Sequence, residues 1–326
     1  MSKLAIIASH PIQYYAPLFK VLSKEIELKV FYCHNPSAEE IGKDGFGKAF
    51  EWDVDLLDGY EYEFLENHSK KPSLSDFNGC DTPQIGEALK KYGATHVVVF
   101  GWYLKSFIQA LKFCNKNNIP IAARGDSQLD PTMPLWKKSL KKLYYPFFLK
   151  KYNAFLSVGK RNREYLKSYG VPDEKVIFSP HAVDQDFWKP LPKNKSSSDF
   201  TFIWAGKFTD KKRPWEVLMA FANAFKQQSE VQLKMIGTGP HFDTLSKKYR
   251  SVSNIRFLGF KNQTELRSEF QESDCIVLSS DYGETWGLVV NEAMACGLPA
   301  IVSSACGCSE DMVDEEQTGY VYSFSS

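Results

Sequence analysis

Short apolar runs alternate with longer stretches of mixed polar and apolar residues along the whole chain. Runs rich in Val, Ile and Phe and bounded by turn residues are typical of strands buried in a parallel sheet. They lie at residues 4–8, 27–33, 96–100, 119–123, 154–158, 176–178, 200–205, 232–236, 255–260, 275–278, 300–302 and 319–322. Helices are predicted between several of them, at about 14–23, 135–151, 160–169, 286–296 and from 215 onwards. The pattern therefore predicts an α/β protein with two doubly wound parallel sheets.

The length and charge of the chain refine this picture. A chain of 326 residues, 43% of them hydrophobic, is long enough for two domains with a core each. A polar, proline-interrupted stretch at 191–199 is predicted to join them, so we expect domains at residues 1–190 and 191–326. The formal net charge of +1 argues against a nucleic-acid-binding protein driven by its overall charge.

The cysteines and the N-terminus bear on where the protein works. The seven cysteines are odd in number and mostly lie inside apolar runs, which predicts reduced thiols in the core. The apolar run at residues 4–8 is far too short for a signal peptide or a membrane span. We therefore expect a cytoplasmic protein.

The most informative segment follows the predicted strand at 275–278. A helix over 286–296 would have Thr285 as its N-cap and Gly297 as its left-handed C-terminal residue. The free N–H groups of its first turn would lie at the carboxyl end of a strand, where they favour a phosphate or diphosphate. Glu284 precedes this helix and Glu292 lies in its second turn, so both carboxylates could face the same crevice.

This segment resembles the E-x7-E signature of retaining glycosyltransferases of family 4. The resemblance implies the GT-B architecture, in which two Rossmann-like domains face each other across a cleft, and a nucleotide-sugar donor. It assigns Glu292 to the ribose and Glu284 to the donor sugar, together with the residues that follow it, Thr285, Trp286, Gly287, Leu288 and Val289. On spacing alone, the two acids could also be a loop acid and a helix acid that are merely solvated.

Three further stretches of the second half fit the same family. Gly206, Lys207 and Lys212 match its spacing of a glycine, a basic residue and a lysine after the first strand. Two cations there could bind the diphosphate and stabilise its growing charge as the glycosidic bond breaks, although a solvated basic turn has the same composition. Gly237 and Gly239 would permit a close backbone approach to a ligand. Residues 255–260, ending at Phe260, resemble the strand and turn that hold the nucleotide base.

In the first half, residues at predicted strand ends are the candidates for the acceptor side. His10 and Gln13 lie in a run that resembles the first loop of a subset of these transferases, and Trp102 follows another strand. Arg124 and Asp126 follow the strand at 119–123, where a buried charged pair would need partners or a ligand, so we count them as catalytic candidates. A lone histidine such as His10 is otherwise a structural hydrogen bonder.

The predicted helix at 135–151, interrupted at Pro146, combines lysine pairs with aromatic residues. Such a pattern suits a basic face lying on an anionic membrane surface, and it equally suits a helix packed on the core with solvated lysines. The first reading predicts a protein at the inner face of the membrane, with a glycan or lipid-linked acceptor in surface polysaccharide synthesis.

The expected activity is that of a metal-independent hexosyltransferase with a UDP-sugar as co-substrate and no cofactor. Asp184 and Asp186 form the one Asp-x-Asp pair near a strand end, but the resemblance places them in the hinge between the domains. The chain ends at Ser326, shortly after its last predicted strand, whereas GT-B proteins continue through further helices, so the second domain is expected to be incomplete. The alternatives are a non-catalytic nucleotide-sugar-binding or scaffold protein and a nucleotide-sugar epimerase.

Overall fold

The computed structural model describes residues 2–37, 39–40, 51–190 and 199–325. The chain divides into two units, one formed by Met1–Pro36 with Asp55–Ala182 and the other by Ser37–Val54 with Val183–Ser326. The carboxy-terminal part of the second unit therefore begins at Val183, whereas the predicted second domain begins at residue 191. The reason is a short helix, Gln185–Trp188, whose Trp188 ring packs 5.8 Å from the ring of Phe270. The predicted linker at 191–199 lies outside the described residues except for Asp199.

The first unit is built on a parallel sheet of seven strands within the described residues. In chain order they are β1 (Lys3–Ala8), β2 (Glu27–Tyr32), β3 (Glu61–Phe64), β4 (His96–Phe100), β5 (Ile121–Gly125), β6 (Ala154–Ser157) and β7 (Val176–Phe178). They are arranged as β3-β2-β1-β4-β5-β6-β7, so the strand order reverses between β1 and β4. The connecting helices are α1 (Ala16–Glu25), α2 (Ile85–Tyr92), α3 (Lys105–Lys116), α4 (Leu135–Leu149) and α5 (Lys160–Ser168).

The burial of β1 explains why its sequence shows no alternation. Ala5 and Ile7 point into one hydrophobic core and Ile6 and Ala8 into another, and all four are at most 2% exposed. Because helices cover both faces of the sheet, every position of a central strand is apolar. The sequence pattern did not predict the edge strand β3, because two of its four residues are charged. Its sequence is Glu-Tyr-Glu-Phe, and its two glutamates pair with Lys29 of β2 at 3.0 and 2.9 Å.

The helix α4 departs from its prediction in one respect. It runs unbroken from Leu135 to Leu149 with Pro146 inside it, whereas a break was predicted there. Phe148 and Leu149 follow the proline and are 6% and 1% exposed. Their packing on the core holds the last turn in place although Pro146 cannot donate a helical hydrogen bond.

The second unit has six parallel strands among its described residues. They are β8 (Phe200–Ala205), β9 (Val231–Ile236), β10 (Ile255–Gly259), β11 (Cys275–Leu278), β12 (Ala300–Ser303) and β13 (Gly319–Tyr322), arranged as β10-β9-β8-β11-β12-β13. The helices are α6 (Gln185–Trp188), α7 (Pro214–Phe225), α8 (Phe242–Tyr249), α9 (Gln263–Gln271), α10 (Leu288–Ala295) and α11 (Ser309–Met312). The two predicted doubly wound sheets are thus confirmed.

The segment Glu51–Val54 contributes a cap to a helix of the second unit. The carboxylate of Asp53 accepts hydrogen bonds from the backbone N–H groups of Gln263, at 3.2 Å, and Thr264, at 3.0 Å, and from the hydroxyl of Thr264. The Asn262 side chain donates to the carbonyl of Glu51 at 2.7 Å. The first turn of α9 has its own capping box, formed by Asn262 and Glu265, and residues that lie about 210 positions earlier in the sequence add a second cap to it.

Two further expectations concern thiols and membrane spans. All seven cysteines are free and buried, which confirms the prediction of thiols in the core. None of the helices in the described part of the chain combines the length and the apolar character that crossing a bilayer requires.

Candidate active site

Two strands at the centre of the second sheet end side by side. β8 and β11 pair in parallel, with Cys275 opposite Phe202, and the strand order reverses between them. Loops that leave such neighbouring strands diverge and open a crevice, which is where doubly wound proteins bind ligands. Residues 206–213 follow β8 and residues 279–287 follow β11. Lys212 and Glu284 lie in these two loops.

The loop after β8 is held by a serine of the neighbouring loop. The buried Ser279 hydroxyl donates to the carbonyl of Lys212 at 2.8 Å and accepts from the indole N–H of Trp204 at 3.2 Å. A single 3-10 turn, Asp210–Lys212, leads to Arg213, which has a left-handed backbone with φ 46° and ψ 51°. A left-handed residue other than glycine costs about 1 kcal/mol, so the surrounding contacts must stabilise this turn. Lys207 is half-buried earlier in the same loop.

Glu284 is the centre of a buried ionic cluster. Its side chain is 10% exposed and pairs with the ammonium of Lys212, whose side chain is 17% exposed. The ammonium of Lys211 lies 3.9 Å away, and the Ser280 hydroxyl donates at 3.2 Å. Burial alone would raise the pKa of Glu284, but the charges of Lys212 and Lys211 outweigh it and hold this pKa below its usual value. Glu284 is therefore a carboxylate at neutral pH.

The pKa of Glu292, in the second turn of the neighbouring helix α10, is shifted in the opposite direction to that of Glu284. Its residue is 6% exposed, and burial raises its pKa to about 8, against the weaker influence of Lys212. Burial therefore favours the protonated carboxyl of Glu292 at pH 7, which is a hydrogen-bond donor as well as an acceptor. Two carboxyl groups eight residues apart are thus in different protonation states.

The helix that carries Glu292 starts later than predicted. α10 begins at Leu288, and its N-cap is Gly287 with φ 108°, not Thr285. A side chain at Gly287 would meet Leu278 at 2.6 Å, so the sharp turn requires glycine. Leu288 and Val289 are half-buried in the first turn, where backbone N–H groups lack helical acceptors. At the other end, Gly297 has the predicted left-handed conformation, with φ 88°.

A loop after β12 supports the turn between Glu284 and Gly287. The N–H of Gly307 donates to the carbonyl of Glu284, and the N–H of Cys308 donates to that of Trp286, both at 2.9 Å. Trp286 is 4% exposed, and its indole N–H donates to Asn291 at 2.7 Å. Its side chain therefore holds the turn to the helix, which leaves ligand contact to backbone groups of the segment. Thr285 is half-buried, and its carbonyl lies against Gly307.

The two glycines after β9 make close approaches to protein backbone. A side chain at Gly237 would lie 1.9 Å from the carbonyl oxygen of Gly206, and one at Gly239 would lie 2.8 Å from the backbone nitrogen of Phe208. We predicted a close approach to a ligand, and the structure instead packs this turn against the loop after β8. Phe260 is half-buried directly after β10.

Arg124 anchors backbone in the first unit. It lies in β5, is 2% exposed, and donates to the hydroxyl of Ser179 at 2.9 Å and to the carbonyl of Pro180 at 3.2 Å. The neighbouring His181 is also buried, and burial together with the charge of Arg124 lowers its pKa to about 3. These contacts give Arg124 a structural role, because it holds the segment leaving β7. Its catalytic role stays a prediction.

The remaining candidates of the first unit differ in exposure. Asp126 is half-buried, as are His10 and Gln13 in the loop after β1, where Nδ1 of His10 lies 2.9 Å from the Ser9 hydroxyl. Trp102 is 8% exposed and belongs to the hydrophobic core, where it stacks on Tyr165. Trp102 is thus a core residue that follows the end of β4, and an acceptor contact by its side chain stays a prediction.

Sequence reasoning missed three residues of the ionic cluster. Lys211 lies beside the predicted Lys212, and Ser279 and Ser280 directly follow β11. A polar pair at the carboxyl end of a buried strand was the available signal for the two serines. Among the described residues, no group of three or more His, Cys, Asp or Glu side chains could hold a metal ion. Asp184 caps α6 by accepting from the N–H groups of Asp186 and Phe187, each at 3.0 Å.

Comparisons with known proteins point to one family. Residues 186–326 match the family model described as glycosyl transferases group 1. N-acetyl-alpha-D-glucosaminyl L-malate synthase of Bacillus anthracis is 30% identical over 167 residues, which are 50% of this chain and 41% of the relative. Poly(glycerol-phosphate) alpha-glucosyltransferase of Bacillus subtilis is 24% identical over 190 residues, 57% of this chain and 28% of the relative. The chain thus spans less than half of the length of these curated relatives.

Solved structures agree on the architecture. The crystal structure of the Anabaena protein HepE in complex with UDP and glucose has a TM-score of 0.70 at 12% identity, and the match covers 99% of this chain and 86% of that one. At such low identity, the likeness concerns the fold alone. The match to glycosyl transferases group 1 thus covers residues 186–326, and the two sheets of the chain have the GT-B fold.

Proposed function

We propose that this chain transfers a sugar from a nucleotide-sugar donor, with a UDP-sugar favoured, to a glycan or glycolipid acceptor in polysaccharide synthesis. The observation that carries the proposal is the buried pair of Glu284 and Lys212 at the adjoining ends of β8 and β11. The names of the two relatives, N-acetyl-alpha-D-glucosaminyl L-malate synthase and poly(glycerol-phosphate) alpha-glucosyltransferase, support a sugar transfer.

The donor diphosphate finds its counter-charges in the loop after β8. Lys207, Lys211 and Lys212 lie within six residues, and the first turn of α10 adds backbone N–H groups beside them. When the glycosidic bond breaks, negative charge grows on the leaving diphosphate, and preorganised cations stabilise that charge by roughly 3 kcal/mol. We assign the contact with the donor sugar to Glu284. The contact with the ribose hydroxyls is assigned to Glu292, whose raised pKa favours a protonated carboxyl.

The proposed reaction proceeds with retention and needs no divalent metal, since the lysines neutralise the diphosphate. Calorimetry with UDP in the presence of EDTA tests this part. We expect binding that is unchanged by EDTA and weakened in Lys212→Ala. Lys226, exposed at the end of α7, provides the control variant Lys226→Ala, which should bind as the wild type does. Binding that disappears with EDTA would contradict the metal-independent reaction.

Two other functions make different predictions for the same incubation. With a UDP-sugar and candidate acceptors, a transferase releases UDP and extends the acceptor. An epimerase would return an isomerised UDP-sugar, and a non-catalytic binding protein would hold the donor without turnover. Chromatography of the nucleotides and of the acceptor separates the three outcomes.

We further propose that the protein works at the inner face of the membrane through α4. The apolar side chains of this helix that are 57% or more exposed form a row: Leu135, Trp136, Leu140, Leu143, Tyr144 and Phe147. Lys137, Lys138, Lys141 and Lys142 interrupt this row, and residues 131–163 contain no Asp or Glu. An apolar row among cations matches an anionic bilayer surface, at up to about 1 kcal/mol for each lysine that reaches it.

Sedimentation with vesicles tests this location. We expect the chain to sediment with anionic vesicles at low salt, less at high salt, and little with neutral vesicles. The variant Trp136→Ser/Phe147→Ser should lose most of this adsorption, because it removes two large apolar side chains from the row. Equal sedimentation with neutral and anionic vesicles would show that the lysines do not contribute, and no sedimentation would refute the location.

A further inference from the structure

A cavity of about 720 Å³ lies in the first unit between α3 and the end of α4. Four lysines line it, namely Lys112, Lys150, Lys151 and Lys175. Asn153, which precedes β6, also lines it, and Lys175 directly precedes β7. The cavity therefore lies at the amino ends of the strands, at the opposite edge of the sheet from the loops that follow β1, β4 and β5.

The four charged side chains that line this cavity are all positive. Lys150 and Lys151 follow the last turn of α4, where a helix dipole already favours cations. Lys112 comes from α3 and Lys175 from the 3-10 turn before β7, so the dipole of α4 does not account for their position. Lys175 is held by a hydrogen bond to the carbonyl of Tyr152 at 3.3 Å. Within the described part of the chain, none of the residues that line the cavity is acidic, so the four ammonium groups together favour a polyvalent anion.

The cavity also has an apolar wall that opens to the surface. Tyr144 is 60% exposed and stacks on the buried Phe148, with ring centroids 5.5 Å apart and an interplanar angle of 13°. Both rings line the cavity beside Ile108 and Leu111. Tyr144 also belongs to the exposed row of α4, so the cavity opens where that row would meet a bilayer. A free phosphate would gain nothing from contact with these apolar side chains. The acyl chains of a phospholipid would pack against them.

We propose that this cavity binds the phosphate of a membrane lipid headgroup and prefers a phosphomonoester, as in phosphatidic acid, to a phosphodiester. A phosphomonoester offers three terminal oxygens and a charge between −1 and −2 to the lysines, whereas a diester offers two oxygens and a single charge. This site rests on the proposed membrane location, but it is separate from the transfer reaction and from the donor site.

Vesicles of matched surface charge test the preference with the full chain. Phosphatidylcholine vesicles contain either phosphatidic acid or phosphatidylglycerol, adjusted to equal zeta potential. We expect about tenfold tighter binding to phosphatidic acid, which one additional charge-assisted hydrogen bond would supply. The variant Lys150→Gln/Lys151→Gln/Lys175→Gln should lose this preference and keep the general adsorption.

The matched control also removes three positive charges, but from lysines within α4. The variant Lys137→Gln/Lys138→Gln/Lys142→Gln changes lysines that do not line the cavity. It should bind both vesicle types less tightly and retain the tenfold preference. Equal binding of the wild type to both lipids, or an equal loss of preference in both variants, would overturn the proposal.

A soluble probe separates the site from membrane adsorption. Calorimetry with monomeric dihexanoyl phosphatidate should show binding to the wild type and to the control variant, but none to the cavity variant. Inorganic phosphate should bind at least tenfold more weakly, since it lacks the acyl part. If phosphate binds as tightly as the lipid, the cavity is a free-phosphate site. If neither binds while vesicles still adsorb the chain, the cavity proposal fails and the membrane location stands.

Discussion

Lys212 has a larger structural role than its sequence suggested. The sequence predicted a cation for the diphosphate, with a solvated basic turn as the alternative, whereas the side chain of Lys212 is 17% exposed and paired with Glu284. Removing one partner of a buried pair leaves the other charge uncompensated. The same residue should therefore matter for both the fold and the reaction, and the two effects can be separated.

A double-mutant cycle makes that separation. We expect Lys212→Met to lower the free energy of unfolding by about 3 kcal/mol, because Glu284 stays buried without its cation. Adding Glu284→Gln should recover most of this loss, since no charge is then buried alone. The rate of sugar transfer should remain about a hundredfold lower in both variants. Urea unfolding and a UDP-release assay measure the two quantities. Recovered activity in the double variant would refute the role of the lysine at the diphosphate.

Glu292 should make stability depend on pH. Its folded-state pKa of about 8 lies above the ordinary value of 4.5, so the folded state binds the proton more tightly than the unfolded state does. The stabilisation is complete below about pH 4.5 and is lost as the pH rises through 8. The slope approaches about 1.4 kcal/mol per pH unit between these values.

Glu292→Gln removes this titration and retains the shape of the side chain. The wild type should lose stability relative to Glu292→Gln between pH 6 and pH 8, with the difference levelling off above pH 8. Urea unfolding followed by tryptophan fluorescence at several pH values measures it. Parallel stability curves for the two proteins would show that Glu292 titrates normally.

At the scale of single elements, the loop after β12 positions the acidic turn. A side chain at Gly307 would lie 1.8 Å from the carbonyl oxygen of Thr285. Gly307→Ala should therefore displace residues 284–287 and weaken UDP binding by tenfold or more, about 1.4 kcal/mol. Gly93→Ala is the control, since Gly93 has a left-handed φ of 75° at the end of α2 but only a lysine methylene at 3.8 Å. It should cost about 1 kcal/mol of stability and leave UDP binding unchanged. Equal affinity in Gly307→Ala would contradict the supporting role.

The correctly predicted helices and strands are those whose own residues carry a clear hydrophobic pattern. Buried strands such as β4 and β11 are continuous apolar runs, and the ends of β8 and β11 located Lys212 and Glu284 at neighbouring positions. The edge strand β3 was missed because its residues are polar on a partly exposed face. The N-cap of α10 was placed two residues early, at Thr285, because the left-handed cap at Gly287 depends on its contact with Leu278.

Side-chain roles that depend on distant packing could not be predicted. Arg124 and Trp102 both lie at strand ends, where ligand contact was a reasonable hypothesis. Their actual partners, Ser179 and Tyr165, come from parts of the chain with no sequence pattern linking them. The sequence therefore identified the strand end near which each residue lies. Packing against distant parts of the chain determined which side chains it contacts.

At the scale of the whole molecule, the chain passes between the two units after Pro36, after Val54 and after Ala182. The second unit is therefore discontinuous in sequence. A fragment of residues 183–326 lacks Asp53, and we expect it to be less stable than the same unit in the full chain by about 1 kcal/mol for the lost helix cap. Asp53→Ala in the full chain should produce a similar loss, and an unchanged unfolding midpoint of the second unit would argue against the cap.

The cap at Asp53 also bears on how proteins of this architecture can exchange parts. A single genetic crossover near residue 183 would join the first half of one protein to the second half of another. The hybrid would then place Glu51 and Asp53 of one parent against the start of α9 from the other. Such chimaeras should fold best when the Asp53 segment and residues 262–264 come from the same parent, which calls for two further junctions, at 37 and 54.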